Sequence, residues 1–317
     1  MLQIEYATEQ SITRAAAILR GGGLVAFPTE TVYGLGANAA DDQAVLAIFE
    51  TKARPRFNPL IVHVRDIEHG ESLAVFDAVA LRLAQAFWPG PLTLVLPRRF
   101  AAPLSLLASA GLETVALRAP AHPLARELLA ESRLAIAAPS ANRSGAISAT
   151  RAAHVAESLG GAVDLVLDGG PAPLGVESTI VGFEPDGPML LRPGALARDV
   201  IEAVIGKLHA ADREAIASPG RLRNHYAPRT PIRLQAFSVR DDEALLAFGP
   251  DAPANARITR NLSPSGDLSE AAANLFAMLH ELDAAGCAGI AVMPVPEHGL
   301  GEAINDRLSR AAAPKDG

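Results

Sequence analysis

The feature that most limits the fold is a regular exchange between short apolar segments and segments with helical spacing, which fills the first two thirds of the chain. Apolar residues recur at helical spacing over 12–19, and the apolar segment 24–27 follows directly. Repetition of this exchange predicts an α/β fold with helices packed on a sheet. Two later segments, 177–183 and 189–194, flank the turn sequence Pro-Asp-Gly and predict an antiparallel hairpin. We therefore expect a mixed sheet rather than a purely parallel one.

The length of the chain, 317 residues, favours two domains, because a single hydrophobic core rarely grows that large. Residues 1–206 are predicted to form the larger domain. Residues 207–230 include the stretch SPGRLRNHYAPRT, which shows little helical or alternating pattern, and they are predicted to be a linker that folds toward the functional site. Residues 231–317 place short apolar segments around a long helical one, which predicts a smaller βαβ domain of a size that folds alone.

The composition argues against several classes of protein. A formal net charge of −7 argues against broad electrostatic attraction to nucleic acid. The single cysteine, Cys287, cannot form an internal disulfide, and no Cys/His group has the spacing of a zinc site, so we expect no metal bound by the protein alone. We find no apolar stretch of the roughly 18 residues that a membrane-spanning helix requires, and no secretory signal. We therefore expect a cytoplasmic protein without membrane partners.

The stretch 24–64 carries the first indication of a binding site. Its apolar beginning ends at Pro28, three hydroxyl or acidic side chains follow at 29–31, and Gly34 and Gly36 come next. Proline after a strand and closely spaced glycines are typical of turns, so we interpret this part as a loop. Because glycine lets a backbone approach a ligand closely, the loop is expected to border a ligand.

A basic cluster in the same stretch indicates that the ligand is anionic. Lys52, Arg54 and Arg56 precede a second apolar segment that ends at His63. The chain has no GxxxxGK[ST] loop and no GxGxxG motif, so a nucleotide would have to be held by side-chain cations and by backbone amides. An isolated basic triplet is more often a solvated turn. This one lies between two predicted strands that both end in polar groups, which favours a binding role.

A second group of polar side chains follows the predicted buried strand at 135–138. It consists of Ser140, Asn142, Ser144 and Ser148. Hydroxyl and amide groups can donate or accept hydrogen bonds, which suits phosphate oxygens or ribose hydroxyls. Turn formation or capping of the next helix is the alternative for Ser148 and Thr150.

A third group interrupts apolar strands near their ends. Ser178 and Thr179 begin one predicted strand, while Arg118 and Arg192 end two others. A planar guanidinium at a strand end can contact a ligand through two hydrogen bonds. The alternative is an ion pair with a neighbouring carboxylate, such as Glu177.

The predicted linker carries one aromatic residue, Tyr226, directly after Asn224 and His225. A linker that folds over a site can gate it. The alternative is that Tyr226 only holds the two domains together.

Taken together, eight segments resemble the threonylcarbamoyl-AMP synthase family in its two-domain form. They are, in chain order, PTETVYGLG, KARPRFNPLIVHV, WPGPLT, TVALRAP, APSANRSG, ESTIV, LLRPG and NHYAP. The C-terminal part is similar in size, in its βαβ pattern and in the stretch GLGEAINDRL. The chain departs from the family pattern at Asn224, where a basic residue is frequent, and at Ala149, where proline is frequent. The resemblance implies a YrdC-like twisted mixed sheet with flanking helices and a Rossmann-like C-terminal domain.

The resemblance also implies a reaction and a set of site residues. It implies that L-threonine, bicarbonate and ATP are converted to threonylcarbamoyl-AMP and pyrophosphate for the t6A modification at position 37 of tRNA. The product would pass to a tRNA threonylcarbamoyltransferase, with at most a weak direct contact to tRNA. The implied threonine pocket consists of Thr31, His63, Arg118, Ala138 and Ser178. The implied ATP contacts are Arg54, Asn58, Thr114, Ser140, Ser148, Arg192 and Tyr226, to which the polar pattern adds Asn142.

The implied mechanism needs no protein nucleophile. A carbamate formed from bicarbonate and the threonine amine would attack the α-phosphorus of ATP. Catalysis is then expected to depend on alignment of the reactants and on neutralisation of phosphate charge. Lys52 and Arg54 are the candidate catalytic cations, supported by Arg192 and by Mg²⁺ that enters with ATP, because Mg²⁺ prefers phosphate oxygens and water. The residue types leave the general base open.

Two other functions compete with this one. A basic face around Lys52, Arg98 and Arg99 would make the chain a non-catalytic maturation factor that binds double-stranded RNA or tRNA. Such a protein would show salt-sensitive affinity for RNA and would consume no ATP. Carbamoyl transfer of the hydrogenase-maturation kind normally involves zinc-binding cysteines, and the single cysteine argues against it.

Overall fold

The computed structural model describes residues 3–210, 226–253 and 256–313, and these ranges form a mixed α/β fold with two sheets. The strands are β1 (Ile4–Tyr6), β2 (Val25–Pro28), β3 (Tyr33–Asn38), β4 (Ile61–His63), β5 (Leu92–Pro97), β6 (Thr114–Arg118), β7 (Ile136–Ala137), β8 (Leu165–Asp168), β9 (Thr179–Glu184), β10 (Gly187–Arg192), β11 (His209–Ala210), β12 (Ile232–Arg233), β13 (Glu243–Ala247), β14 (Thr259–Asn261) and β15 (Gly289–Val292). The helices are α1 (Glu9–Arg20), α2 (Asp42–Lys52), α3 (Ile67–Leu73), α4 (Ala78–Phe87), α5 (Pro123–Ser132), α6 (Ala152–Leu159), α7 (Arg198–Ile205), α8 (Leu268–Ala284) and α9 (Gly301–Ala311), with a short 3-10 helix at Gly160–Ala162.

The larger sheet has 11 strands in the order β1-β8-β2-β3-β7-β4-β6-β5-β9-β10-β11. The sheet contains both parallel pairs, such as β4 with β6, and antiparallel pairs, such as β2 with β3. The predicted hairpin is present as β9 and β10, which pair in antiparallel fashion. The prediction of a mixed sheet with flanking helices is therefore confirmed.

The first helix illustrates how the sequence produces these elements. Thr8 caps α1 by accepting a hydrogen bond from the backbone of Ser11, whose side chain bonds back to Thr8. Ile12 and Leu19 lie on the same face of the helix and are buried, and Gly21 caps its C-terminal end. Each such large apolar side chain contributes about 1.5–3 kcal/mol when fully buried.

The interpretation of Gly34 and Gly36 as loop residues is wrong, because both lie within β3. A Cβ added at Gly36 would lie 2.7 Å from Cε1 of Phe27 and 2.9 Å from Cγ2 of Ile136. The glycine is therefore required by packing against the neighbouring strands and not by a turn. The loop is confined to the segment between the end of β2 and Tyr33.

The second sheet belongs to the C-terminal part and has the order β12-β15-β13-β14. All of its pairs are parallel, and α8 and α9 pack beside it, as expected for the predicted βαβ arrangement. The sequence did not predict β14, because its three residues, Thr-Arg-Asn, carry no apolar pattern.

The two parts of the chain share one hydrophobic cluster. Val32 and Ile147 of the larger part lie in the same buried cluster as the apolar face of α8. Gly175 has a φ of +68°, and a Cβ there would clash with the backbone of α8 at Ala272 and Ala273. Backbone thus packs directly against backbone at this boundary.

The predicted division of the chain stays a prediction over much of its linker. Residues 209–210 form β11 and pair with β10, so they lie in the larger sheet. Residues 211–225, which include Asn224 and His225, lie outside the described residues. Among the described helices, none combines the length and the apolar character needed to cross a membrane.

Candidate active site

The larger part contains a cleft that is open to solvent. Its empty volume is about 550 Å³ when the solvent space at its mouth is included. Nine side chains predicted from the sequence line it. They are Thr31, Arg54, His63, Arg118, Ala138, Ser140, Ser178, Arg192 and Tyr226. Residues of the expected threonine pocket and cations of the expected ATP contacts therefore meet in one cavity.

The topology of the sheet explains why these residues meet. His63 ends β4 and Arg118 ends β6, and the two residues are partners in the parallel register. Ser178 directly precedes β9, while Arg192 ends the antiparallel neighbour β10. Several strand ends thus deliver polar groups to one edge of the sheet, which is where open α/β sheets bind ligands.

Arg118 is fixed by a buried ion pair. Its Nη2 lies 2.7 Å from Oε1 of Glu30, and its Nη1 donates to Oγ1 of Thr31 at 2.9 Å. The Nε atom donates to the carbonyl of Gly90 at 3.2 Å, so the turn WPGPLT supports the arginine. Glu30 is held in turn by the backbone N–H of Ala121 at 3.1 Å. This arrangement holds the guanidinium rigidly at the cleft wall.

His63 is a neutral polar group in this cleft. Its ring is 2% exposed and packs edge-on against Phe27, with ring centroids 6.2 Å apart. Burial, together with the charge of Arg118, lowers the pKa of His63 to about 3. Neither ring nitrogen has a hydrogen-bond partner within the described part of the chain. The ring is therefore poised to donate one hydrogen bond and accept another from a ligand.

Arg54 and Arg192 form the cationic side of the cleft. Arg54 donates to the carbonyls of Asn58 and Pro59 at 3.1 and 2.9 Å. Arg192 donates from Nη2 to the carbonyl of Ser178 at 2.8 Å. Burial is the main cause that lowers the pKa of Arg54 to about 10, so it remains a cation near neutral pH. Two buried guanidinium groups in one cleft favour an anionic ligand.

Lys52 does not line the cleft. It is 1% exposed, and its Nζ donates to the carbonyl of Ser140 at 2.6 Å and to the carbonyl of Asn142. Burial, and then the charge of Arg54, lower the pKa of Lys52 well below its usual value. Lys52 therefore supports the loop that presents Ser140. A basic surface that includes Lys52 is excluded, and the RNA-binding interpretation loses one of its three cations.

Four other predicted ATP contacts lie outside the cleft lining. Asn142 donates to the carbonyls of its own loop, and Ser148 donates to Oε1 of Glu177 at 2.5 Å. Thr114 begins β6, about 13 Å along the strand from Arg118 at the usual rise per residue. Asn58 is buried with both polar atoms of its side chain unpaired within the described ranges.

The structure also bears on the alternatives to the binding roles. Arg118 does form an ion pair, with the carboxylate of Glu30. Arg192 bonds to the Ser178 segment, and Glu177 forms its ion pair with Arg307 instead. No side chain caps α6, so Ser148 and Thr150 do not act as its cap. Tyr226 lines the cleft and also stacks on Phe276 of α8 with centroids 5.4 Å apart, so it contacts both parts of the chain, while its gating role stays a prediction.

Sequence reasoning did not predict several polar residues of this region as site residues: Thr29, which lines the cleft, Glu30, which pairs with Arg118, and Glu177 and Arg307. Glu177 lines the cleft, but the sequence suggested it only as a partner for Arg192. Arg307 lies within the stretch GLGEAINDRL, 130 positions from the carboxylate that it contacts. No local pattern reveals a contact over that separation.

The fold and the cleft define an α/β protein with two sheets, whose larger part carries a cleft with two buried guanidinium groups at its strand ends. Residues 17–194 match the family described as "Telomere recombination". Residues 196–313 match the family described as "Threonylcarbamoyl-AMP synthase, C-terminal domain". The chain therefore belongs to the threonylcarbamoyl-AMP synthase family, as the sequence motifs indicated.

Individual relatives agree with this assignment over nearly the whole chain. The threonylcarbamoyl-AMP synthase of Bacillus subtilis is 42% identical, over 96% of this chain and 93% of its own length. The enzyme of that name from Pyrococcus abyssi is 42% identical, over 97% and 96%. A crystal structure of P. abyssi Sua5 complexed with L-threonine superimposes with a TM-score of 0.91 at 39% identity, covering 98% of this chain and 97% of that one. The YrdC-like fold expected from the sequence is thus confirmed.

Proposed function

We propose that this protein is an L-threonylcarbamoyladenylate synthase, a nucleotidyltransferase that forms threonylcarbamoyl-AMP and pyrophosphate from L-threonine, bicarbonate and ATP. The observation that carries the proposal is that two groups of side chains line one cleft. The first group, which we assign to one half of the cleft, is Arg118, paired with Glu30, and the neutral ring of His63. The second group, which we assign to the other half, consists of the guanidinium groups of Arg54 and Arg192.

The first half fits an amino acid that carries a hydroxyl group. Arg118 would bind the carboxylate, while Thr31, His63 and Ser178 would orient the amine and the hydroxyl. The backbone of Ala138 would form the adjacent wall. A site built around hydrogen bonds to the substrate hydroxyl rejects an analogue without it, because its polar groups are then left unpaired. The relative from P. abyssi that binds L-threonine supports this choice of amino acid.

The second half fits a triphosphate. Arg54 and Arg192 would neutralise phosphate charge, and Ser140 would contact a phosphate or the ribose. Asn58, Thr114, Asn142 and Ser148 lie outside the cleft lining, so their contacts with ATP stay predictions. Tyr226 would close over the nucleotide.

Mg²⁺ would enter as part of the substrate. Within the described ranges, no three His, Cys, Asp or Glu side chains form a metal-binding group. An ion that enters with ATP would be held mainly by phosphate oxygens and water, which are the ligands that Mg²⁺ prefers.

The chemistry then needs alignment more than covalent participation. The threonine amine attacks bicarbonate to give a carbamate and water, and a carbamate oxygen then attacks the α-phosphorus while the bond to pyrophosphate breaks. Arg54 and Arg192 would offset the negative charge that develops on the phosphoryl oxygens. Lys52 would contribute from the second layer, by holding the loop of Ser140. The labile product would pass to a tRNA threonylcarbamoyltransferase for t6A formation in the cytoplasm.

Pyrophosphate release from ATP and bicarbonate, measured with and without L-threonine, tests this function. We expect threonine-dependent release that falls about 100-fold or more in Arg54→Ala, the scale for loss of one charge-stabilising group. Arg56→Ala is the matched control, because Arg56 lies two residues away and is exposed. Equal release with serine, or without any amino acid, would contradict the substrate assignment.

A further inference from the structure

Arg307 connects the C-terminal domain to the wall of the cleft. It lies in α9 and is fully buried, with 0% of its surface exposed. A buried charge is costly unless it is paired and hydrogen-bonded, so its partners are informative. Those partners belong to the larger domain as well as to its own helix.

The guanidinium of Arg307 joins two segments that carry site residues. Its Nε donates to Oε2 of Glu177 at 3.0 Å, and its Nη1 donates to the carbonyl of Pro193 at 2.7 Å. Glu177 directly precedes Ser178, and Pro193 directly follows Arg192. One rigid fork therefore fixes the spacing between the segments that present the two residues.

The same guanidinium also packs on Tyr226. Its Cζ lies 5.3 Å from the centre of the Tyr226 ring, within the range of a cation–π contact. The ring stacks on Phe276 as well, with an interplanar angle of 28°. Two residues of the C-terminal domain thus pack against this cleft-lining aromatic ring.

The remaining contacts of Glu177 extend the network. Its Oε1 accepts a hydrogen bond from Ser148 at 2.5 Å, while Asp306 provides a second acidic contact for Arg307 at 2.8 Å. Burial alone would raise the pKa of Glu177, but the charges of Arg307 and Arg192 outweigh it and keep the carboxylate ionised. Removal of Arg307 would leave this carboxylate buried without its main counter-charge.

We propose that Arg307 is a positioning residue of the active site, which acts through Glu177, Pro193 and Tyr226 to hold Ser178, Arg192 and the aromatic ring in their working arrangement. The inference rests on the proposed function and deepens it. It gives the C-terminal domain a direct part in nucleotide use, beyond attachment to the larger domain.

A second contact between the domains supplies the control. Arg198 of α7 pairs with Glu302 of α9 at 2.5 Å, and both side chains are about one-third exposed. Neither residue lines the cleft. Arg198→Met therefore weakens the attachment of α9 without disturbing the site.

The experiment measures threonine-dependent pyrophosphate release by the full-length wild type, Arg307→Met, Arg307→Lys and Arg198→Met. For Arg307→Met we expect kcat/KM for ATP to fall about 100-fold, the scale for misplacement of reacting groups by about 1 Å. The KM for ATP should rise, while the Kd for threonine without ATP, measured by calorimetry, should rise by a smaller factor, because Ser178 is held through Arg307 whereas Arg118 is held by Glu30. Arg307→Lys should recover only part of the loss, because an ammonium cannot bond in the planar fork geometry.

Stability has to be separated from positioning. The double variant Arg307→Met with Glu177→Gln removes the unpaired carboxylate, so it should regain thermal stability but keep the defect in ATP use. Arg198→Met should lower Tm only slightly, since partly exposed ion pairs contribute little, and it should leave both KM values within about twofold. The inference is overturned if Arg307→Met retains the ATP kinetics of the wild type, or if the double variant recovers them. If the wild type itself shows no threonine-dependent release, the proposed function fails and this inference fails with it.

Discussion

Substitution of Gly175 by alanine tests how closely the C-terminal domain controls the site. Gly175 is buried and has a φ of +68°. An alanine Cβ there would lie 2.5 Å from Cα of Ala273, and closer still to the carbonyl oxygens of Ala272 and Ala273. These atoms belong to the backbone of α8, so no side-chain rotation can relieve the contact.

The magnitude follows from the geometry. Ordinary van der Waals contact begins near 3.4 Å, so α8 would have to move away by about 3.4 − 2.5 ≈ 0.9 Å. The left-handed backbone conformation costs a non-glycine residue about 1–2 kcal/mol. Overpacking at a tight contact adds about 1–3 kcal/mol. We therefore expect Gly175→Ala to lower the free energy of unfolding by about 2–5 kcal/mol.

Gly111→Ala separates the two contributions. Gly111 has a φ of +77°, but a Cβ there would meet no atom within 4 Å. This variant should lose only the conformational part, about 1–2 kcal/mol. The difference between the two variants then measures the contact with α8.

The assay combines urea unfolding at 25 °C with ATP kinetics. Trp88 fluorescence reports the larger domain, and circular dichroism reports both domains. Because α8 also carries Phe276, which stacks on Tyr226, Gly175→Ala should raise the KM for ATP, while Gly111→Ala should leave it unchanged. Equal destabilisation by the two substitutions, with unchanged ATP kinetics, would refute the reasoning that this contact positions the domain.

Three further predictions concern charges in the larger domain. Glu30→Gln leaves the buried Arg118 without its counter-ion, so we expect a loss of about 3–5 kcal/mol in urea unfolding and at least tenfold weaker threonine binding by calorimetry; unchanged affinity would contradict the assigned role of the pair. Lys52→Met removes the ammonium that donates to two loop carbonyls. This variant should raise the KM for ATP with little change in the Kd for threonine, and a change in threonine binding alone would contradict the support role of Lys52. Burial is the main cause that lowers the pKa of His154 and the pKa of His63 to about 3 in the folded protein. The unfolded chain therefore binds more protons below pH 6.5, and stability should fall from there toward pH 3. His154→Asn should show a smaller drop in Tm between pH 7.5 and 5, and an unchanged drop would count against this explanation.

The sequence predicted the positions of the cleft residues well, because strand ends carry local signals. The polar residues after β2, the histidine that ends β4 and the arginines that end β6 and β10 all interrupt apolar segments. Strands that are neighbours in a sheet bring such ends together, so a correct strand assignment largely predicts the cleft.

The direction of individual side chains could not be predicted in the same way. Lys52 lies in the last turn of α2, in a basic triplet that resembles a phosphate-binding cluster. Its actual partners, the carbonyls of Ser140 and Asn142, are 88 and 90 positions away in the sequence. The glycines of β3 were misinterpreted for a similar reason, because the ring of Phe27 that excludes a Cβ at Gly36 lies on the neighbouring strand.

The boundary between the domains gives the strongest reason to treat them as one functional unit. Val32, which lies in the polar loop of the threonine half, belongs to the same buried cluster as Phe276 of α8. If the C-terminal domain moved away as a rigid body, it would expose this cluster, uncover Tyr226 and leave the charge of Arg307 without Glu177. Exposure of apolar surface to water raises the free energy, and so does the loss of the counter-charge of a buried ion. Opening of the cleft for substrate entry is therefore not expected to involve separation of the two domains.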